Sequence, residues 1–387
     1  MDMHMRMASI FIAVLSGVIA VGLAALYTLK LRDIRRRRTA GVYTAKHEDW
    51  ITYVLANLDG EEPLYPPPGR LNQEERRVVQ ERLIGWIEQF RGEQQRKLIA
   101  LCEEMGLVKR HLQRLDSPFE WVRLDAAYYL GCMRSHGAVP GMMKLLASMR
   151  FSPMVFIVGR AIAKCARHTD ELRDMVHVLL AHKKEAHPLI ADILAESEID
   201  IAAMLETFLR SGDEERVRLA LAAMRKHSLA GSGDTLYKLT ASEQADIRLK
   251  ASKLLAKDAV SFSEGRARKL LIHPDGEVRA LAAQAIGKLG LRSCLEQLRL
   301  TMADPEWKVR FYSARSMAML GEEGFAELCE AAKTDTEAGA EEARDVIREE
   351  MRRRESASRE TGWVAVRGRS QPAYEYVPLT QDDQVHA

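Results

Sequence analysis

Five arginines stand directly behind an apolar residue in short matching blocks: Arg123, Arg218, Arg248, Arg279 and Arg310. A guanidinium has a fixed charge and a fork of N–H donors, so a row of them either binds anions or pairs with carboxylates of the same chain. Asp116, Asp213, Asp275 and Asp304 lie in the turns ahead of the blocks. A charge-assisted, often bidentate bond to a turn aspartate makes the structural role the stronger reading. A second cationic group, Lys30, Arg32, Arg35, Arg36, Arg37 and Arg38, follows a long uncharged run. Its chemistry is to fix membrane topology and to touch anionic lipid headgroups, at about 1 kcal/mol for each cation near the surface.

The remaining reactive side chains form no recognisable centre. His168, His177, His182 and His187 are spaced nine, five and five residues apart, which does not set two ligands one helical turn apart. Cys102, Cys132, Cys165, Cys294 and Cys329 are scattered among apolar helical residues without a CxxC pair, as small core residues in a reducing compartment would be. Neither a GxxxxGK[ST] phosphate loop nor a GxSxG nucleophile turn occurs, and Gly287-Lys288 lacks the partners that the first would need. The expectation is no catalytic residue, no metal and no cofactor. With 57 Lys and Arg against 55 Asp and Glu in 387 residues, the chain as a whole is not drawn toward nucleic acid.

The elements that must carry these residues begin with Ala8–Leu29, an uncharged run long enough, at about 1.5 Å per helical residue, to cross a hydrocarbon core of roughly 30 Å. Residues 1–7 are then a short leader, 8–29 a transmembrane helix and 30–45 a basic juxtamembrane linker. The arginine block behind the span places the N-terminus outside and the body in the cytoplasm, at the cell membrane in a single pass. A cleaved signal peptide shares the basic leader and the apolar run, but the length of this run and the arginines behind it oppose export. Ser16, Ala20 and Ala24, and likewise Ala13 and Gly17, recur at four-residue spacing and would let a second helix approach.

Residues 46–115 show helical stretches without a repeat, broken by Pro63, Pro66, Pro67 and Pro68, and suit a cap over the first end of an array. The array itself is explicit in 116–334. From Val278 the offsets four, five, eight and nine give Ala282, Ala283, Ile286 and Gly287; from Val309 they give Ser313, Ala314, Met317 and Ala318. Ile247 and Val122 begin blocks of the same kind, Val217 a looser one and Val155 a degenerate one. The starts at 217, 247, 278 and 309 are 30, 31 and 31 residues apart, which is the signature of a repeat architecture. Those offsets share one stripe of a helix, and breakers such as Asp304-Pro305 separate the helices, so the unit is helix, turn, helix.

The stretches from Asp304 to Ala314 (DPEWKVRFYSA) and from His273 to Ala283 (HPDGEVRALAA) resemble HEAT repeats of the phycobilisome-lyase HEAT-like kind. The resemblance implies an all-α fold: one transmembrane helix, then an α-solenoid of HEAT-like helix pairs. It also implies that the block arginines form a ladder with the turn aspartates. More broadly, anchor, basic stop, caps and array together are similar to bacterial membrane-anchored HEAT-repeat proteins, some found alongside membrane glycosyltransferases. The function so implied is a scaffold for protein–protein interaction at the inner membrane face, with an unknown, membrane-associated protein partner. The alternative is a HEAT-fold enzyme or lyase with a ligand in its concave face. HEAT-type hydroxylases carry several His-Glu dipeptides on the repeats, whereas here His47-Glu48 stands outside the array. Residues 335–355, rich in Glu and Arg, suit a capping helix with ion pairs three and four residues apart, and 356–387, with Trp363, Tyr374 and Tyr376, a flexible tail.

Overall fold

The computed structural model describes residues 2–182, 185–224, 231–333, 338–360, 363–367 and 374–378; along the first helix, side chains are described at 15–28, 30–31, 34 and from 38 onward. Helices α1 (Asp2–Lys46), α2 (Glu48–Ala56), α3 (Gln73–Gln89), α4 (Gly92–Glu104) and α5 (Leu107–Arg114) precede the repeats. Then come α6 (Glu120–Cys132), α7 (Val139–Ser148), α8 (Val155–Cys165), α9 (Thr169–His182) and α10 (His187–Leu194). These belong to a first compact unit, Met1–Asp200.

The second unit, Ile201–Ala387, holds α11 (Ala202–Leu209), α12 (Glu214–Ala223), α13 (Gly233–Leu239), α14 (Ala245–Leu255) and α15 (Glu264–Leu271). It continues through α16 (Gly276–Leu289), α17 (Leu295–Leu300), α18 (Trp307–Met319), α19 (Glu322–Ala331) and α20 (Ala338–Glu360). Short strands β1 (Trp363–Arg367) and β2 (Tyr374–Pro378) pair antiparallel in the region read from sequence as a flexible tail, with Ala365 opposite Tyr376.

Within each unit the helices stack in two layers, as the repeat requires. In the first, α6 packs on α8 and α8 on α10, while α7 packs on α9. In the second, α12, α14, α16, α18 and α20 follow one another in one layer and α15, α17 and α19 in the other. The block residues Val217, Ile247, Val278 and Val309 are all buried, so the apolar stripe seen in the sequence is the seam between layers. The small residue nine places on is where neighbouring repeats meet. A Cβ added to Gly131 would stand 2.7 Å from Ala161 Cα, and one added to Gly287 would stand 2.7 Å from Ser316 Cα.

Local signals set the helix ends. Asn72 and Glu75 form a reciprocal capping box on α3. Asp213 and Asp275 cap α12 and α16 by accepting from Glu215 N and Glu277 N at 3.0 and 2.9 Å. Gly290, at φ 68°, ends α16 in the left-handed region that a Cβ disfavours.

Residues 30–45 continue α1 without a break, so the segment read as a linker is helical; arginine, alanine and leucine are good helix formers and no proline intervenes. At its foot α1 is fixed to α3: Lys46 pairs with Glu75, and Asn72 Nδ2 donates to the Tyr43 hydroxyl at 3.2 Å. Every side chain from 15 to 28 is exposed, with Leu15 at 49% and Val21 at 71%. Among the described residues no helix is long and apolar enough to cross a membrane. The side chains of the proposed span Ala8–Leu29 are described only in part, and those of Arg32, Arg35, Arg36 and Arg37 lie outside the described residues. Arg38 is exposed, as is Lys30.

Candidate interaction surface

Each block arginine stands in the first turns of a first-layer helix; four of the five reach an acid of the next repeat, and three of those also clamp carbonyls of the turn ahead of their own helix. The Nη1 group of Arg279 donates to the carbonyls of His273 and Pro274, at 2.8 and 2.9 Å, in the turn ahead of its own helix. Its other edge forks onto the next repeat: Nε to Asp304 Oδ2 at 2.7 Å and Nη2 to Asp304 Oδ1 at 2.9 Å. Arg248 clamps the Ser242 carbonyl and takes Asp275; Arg310 clamps Asp304 and Pro305 and takes Glu342. Arg218 takes Asp246 through Nε and Nη2, and Glu215 through Nη1.

The partner therefore lies one repeat ahead: Asp275 and Asp304 stand just before the next first-layer helix, and Asp246 and Glu342 within it. Asp275 and Asp304 serve as partners; Asp213 instead caps α12 and pairs with Arg216 at 3.2 Å. Burial would raise the Asp304 carboxyl, but the fork of Arg279 and the Glu306 amide hold it below the usual carboxylate range. Asp246 is held down first by its bond from Arg218. These arginines are saturated by their own chain and leave no fork for an external anion.

Arg123 is the exception. It is the fourth residue of α6, as Arg279 is of α16 and Arg310 of α18. Yet its Nε is buried without a hydrogen-bond partner, and so is the Oγ of Ser152. Beside this pair of helices lies a cavity of about 270 Å³ lined by Tyr128, Gly131 and Cys132 of α6 and by Phe156, Ile157, Arg160, Ala161 and Lys164 of α8. Lys164 stands 3.9 Å from both Glu88 and Glu196, and Arg160 3.6 Å from Glu196, beyond hydrogen-bonding distance. Of its lining, Tyr128 and Ile157 are exposed large apolar side chains, and Phe119, Trp121, Phe151 and Met154, in or just ahead of the same two helices, are exposed as well. Aromatic residues in such a group are the usual anchors of protein interfaces.

Repulsion from a Cys132 thiolate, the hydrogen bond between the two side chains and burial push the Tyr128 hydroxyl up to about 12, and burial raises Cys132. Both are neutral at neutral pH. Burial likewise lifts Cys102 and Cys165 to about 12, which leaves them inert small apolar residues, and the Cys165 thiol donates to the Leu130 carbonyl at 3.3 Å. The four histidines noted in the sequence are not brought together: His168 stacks edge-on with His136 at 5.7 Å, His177 is exposed, His182 Nε2 lies 3.3 Å from the Leu146 carbonyl, and His187 is buried. Among the described residues no group of three His, Cys, Asp or Glu side chains could hold a metal ion.

The cavity and the aromatic group were not foreseen from sequence.

A comparison with known proteins finds no match among curated sequences. Among solved structures, the crystal structure of an engineered protein from a structural genomics consortium is similar at 18% identity. The match covers 77% of this chain and 87% of that one with a TM-score of 0.34, a level that does not bear on the fold. The profile of HEAT repeats matches residues 266–348, the stretch that includes the Arg279 and Arg310 rungs and the close crossing at Gly287. Over residues 266–348, helix pairs of fixed period joined by an arginine ladder are thus similar to HEAT repeats.

Proposed function

We propose that the chain is a membrane-anchored scaffold whose repeats gather a membrane-associated protein partner, such as a glycosyltransferase, at the cytoplasmic face. The observation that carries the tether is the exposure of α1. Leu15, Val18, Ile19, Val21, Leu23, Leu26 and Tyr27 point to all sides of the helix and are at least 49% exposed. Fully removing such a side chain from water is worth about 1.5–3 kcal/mol, and a helix apolar all round is the form a bilayer accepts. Lys30 and Arg38, with the arginines between them, favour a cytoplasmic body. The binding role rests on the HEAT repeats, which commonly mediate protein interactions; HEAT-repeat solenoids are generally non-enzymatic.

The test is alkaline extraction of membranes from cells that make the chain, followed by affinity purification of the intact protein beside a version lacking residues 1–46. The intact chain is expected in the membrane pellet with a specific partner. An intact chain found wholly in the extract would sink the tether, and recovery of no specific partner with either form would sink the scaffold.

A further inference from the structure

Three successive first-layer helices of the second unit, α14, α16 and α18, carry no acid beyond their second residue. Counting from Ile247, Val278 and Val309, offsets six and ten give Lys253 and Lys257, Gln284 and Lys288, and Arg315 and Met319. The crossing of α16 and α18 fixes which way these positions face. Glu277 pairs with Lys308 near the starts of the two helices and Gly287 meets Ser316 near their ends, so the helices run in the same direction. Lys288 follows Gly287 and Arg315 precedes Ser316. Each is turned about 100° from that contact, which for parallel helices is the same side of the layer. Ile286 and Met317, turned the opposite way, are wholly buried.

Lys253, Lys257, Lys288 and Arg315 are exposed, and among the described residues none pairs with a carboxylate. The two acids at the starts of α14 and α16 are already taken: Asp246 by Arg218 and Lys250, at 2.9 and 3.4 Å, and Glu277 by Lys308. A helix C-terminus favours a cation, which accounts for Lys253 and Lys288 in the last turns, but Arg315 is not in the last turn of α18. Between the cations Leu281 and Tyr312 are half-buried and Met319 is 48% exposed, a floor of apolar surface under a cationic rim.

We propose that this face of α14, α16 and α18 docks an acidic segment of the partner protein, a reading that rests on the scaffold function above. Charge selects the occupant, because the cations have no acid of their own chain to displace. The floor selects a protein segment over a bilayer: Leu281 and Tyr312 do not protrude as side chains that insert among lipids do, and they leave room for an aliphatic side chain of the segment. Neighbouring helices in a layer are about 8–10 Å apart, so six or seven extended residues reach across all three.

The experiment uses the full chain in phosphatidylcholine nanodiscs and an eight-residue fluorescent peptide of six glutamates and two leucines. A second peptide has glutamine for glutamate; phosphatidylglycerol vesicles and a thymidine decanucleotide are tested as competitors. The glutamate peptide is expected to bind and the glutamine peptide not. Replacing the rim by K253E, K288E and R315E together should weaken the glutamate peptide roughly tenfold or more, whereas K144E, K238E and K269E, which change net charge equally on exposed positions elsewhere, should leave it within about twofold. The neutral set K253Q, K288Q and R315Q should lose less than the glutamate set, so that the loss follows charge in variants with an unchanged melting temperature.

Absence of binding, equal binding of the glutamine peptide, or equal losses in the two glutamate sets would each overturn the proposal. So would displacement by the vesicles or the decanucleotide at lower charge concentration than unlabelled peptide, which would assign the face to a bilayer or to nucleic acid. A partner recovered through the intact chain and held equally well by the K253E, K288E and R315E variant would leave the scaffold standing and remove this site.

Discussion

The Arg279–Asp304 rung allows the energetics of the ladder to be tested against its geometry. The two side chains are 13% and 9% exposed and share two hydrogen bonds of 2.7 and 2.9 Å. Hydrogen bonds to charged groups contribute about 1.5–3 kcal/mol, and little solvent remains here to screen them. The Arg218–Asp246 rung has similar bonds, of 2.9 and 3.2 Å, but Asp246 is 43% exposed. Exposed pairs are worth about 0.2–1 kcal/mol.

Double-mutant cycles with alanine at each pair, read from urea unfolding of the detergent-solubilised chain, should therefore give a coupling of about 2 kcal/mol for Arg279–Asp304 and under about 1 kcal/mol for Arg218–Asp246. The cycle is needed because Asp304 also accepts from Glu306 N, a contribution that cancels only in the coupling term. The folded Asp304 carboxyl is held below its unfolded value near 3.8, so its contribution is complete above that value and disappears as pH falls through the depressed one. Equal couplings for the two rungs, or a Arg279–Asp304 coupling unchanged down to pH 2, would refute the argument.

Three further outcomes are expected. His111 is buried, its Nε2 lies 3.1 Å from Gln80 Oε1, and burial lowers its pKa to about 4. The unfolded chain takes up that proton near pH 6.5, so stability should fall between pH 6.5 and 4 by up to about 1.4 kcal/mol per unit; H111Q should flatten that slope in denaturant titrations at stepped pH. G287A should destabilise the second unit by about 1–3 kcal/mol, because its methyl meets the backbone of Ser316, whose hydroxyl donates to the Ala283 carbonyl at 2.7 Å. Calorimetry that finds it neutral would mean that the close crossing is not a constraint. Replacing Val18, Val21 and Leu23 together by aspartate should release the chain from membranes in a flotation assay, while a chain that still floats would place the anchor elsewhere.

What could be read in the sequence was what repeats within one helix. Offsets of four, five, eight and nine fixed the seam, and the glycine nine places after Val122 or Val278 marked a helix crossing even without coordinates. The rungs were only half legible. Arginines and turn acids were visible, but that Arg248 reaches Asp275 and Arg310 reaches Glu342 depends on how one repeat is set against the next, which spacing along a single helix does not encode. The same limit hid the α6–α8 cavity and the outward turn of Trp121 and Phe119, since a helix pattern does not say which aromatic its neighbour leaves uncovered. In the tail, where the sequence was read as flexible, β1 and β2 pair instead, with Val364 opposite Val377 and Val366 opposite Glu375.

The unbroken course of α1 bears on how a tethered body would be aimed. Beyond Leu29 the helix runs 17 more residues to Lys46, a stalk of roughly 25 Å at about 1.5 Å per residue. Its foot is bolted to α3 through Lys46 and Tyr43. Such a stalk works like a splined shaft. One residue inserted near Gly41 lifts the first unit by only about 1.5 Å but swings it by about 100°, whereas seven residues lift it by roughly 10 Å and return it nearly to its starting bearing. In a tethered chain, height above a bilayer and compass direction would thus be geared together, and a partner confined to the same membrane would register the phase of the insertion before its length.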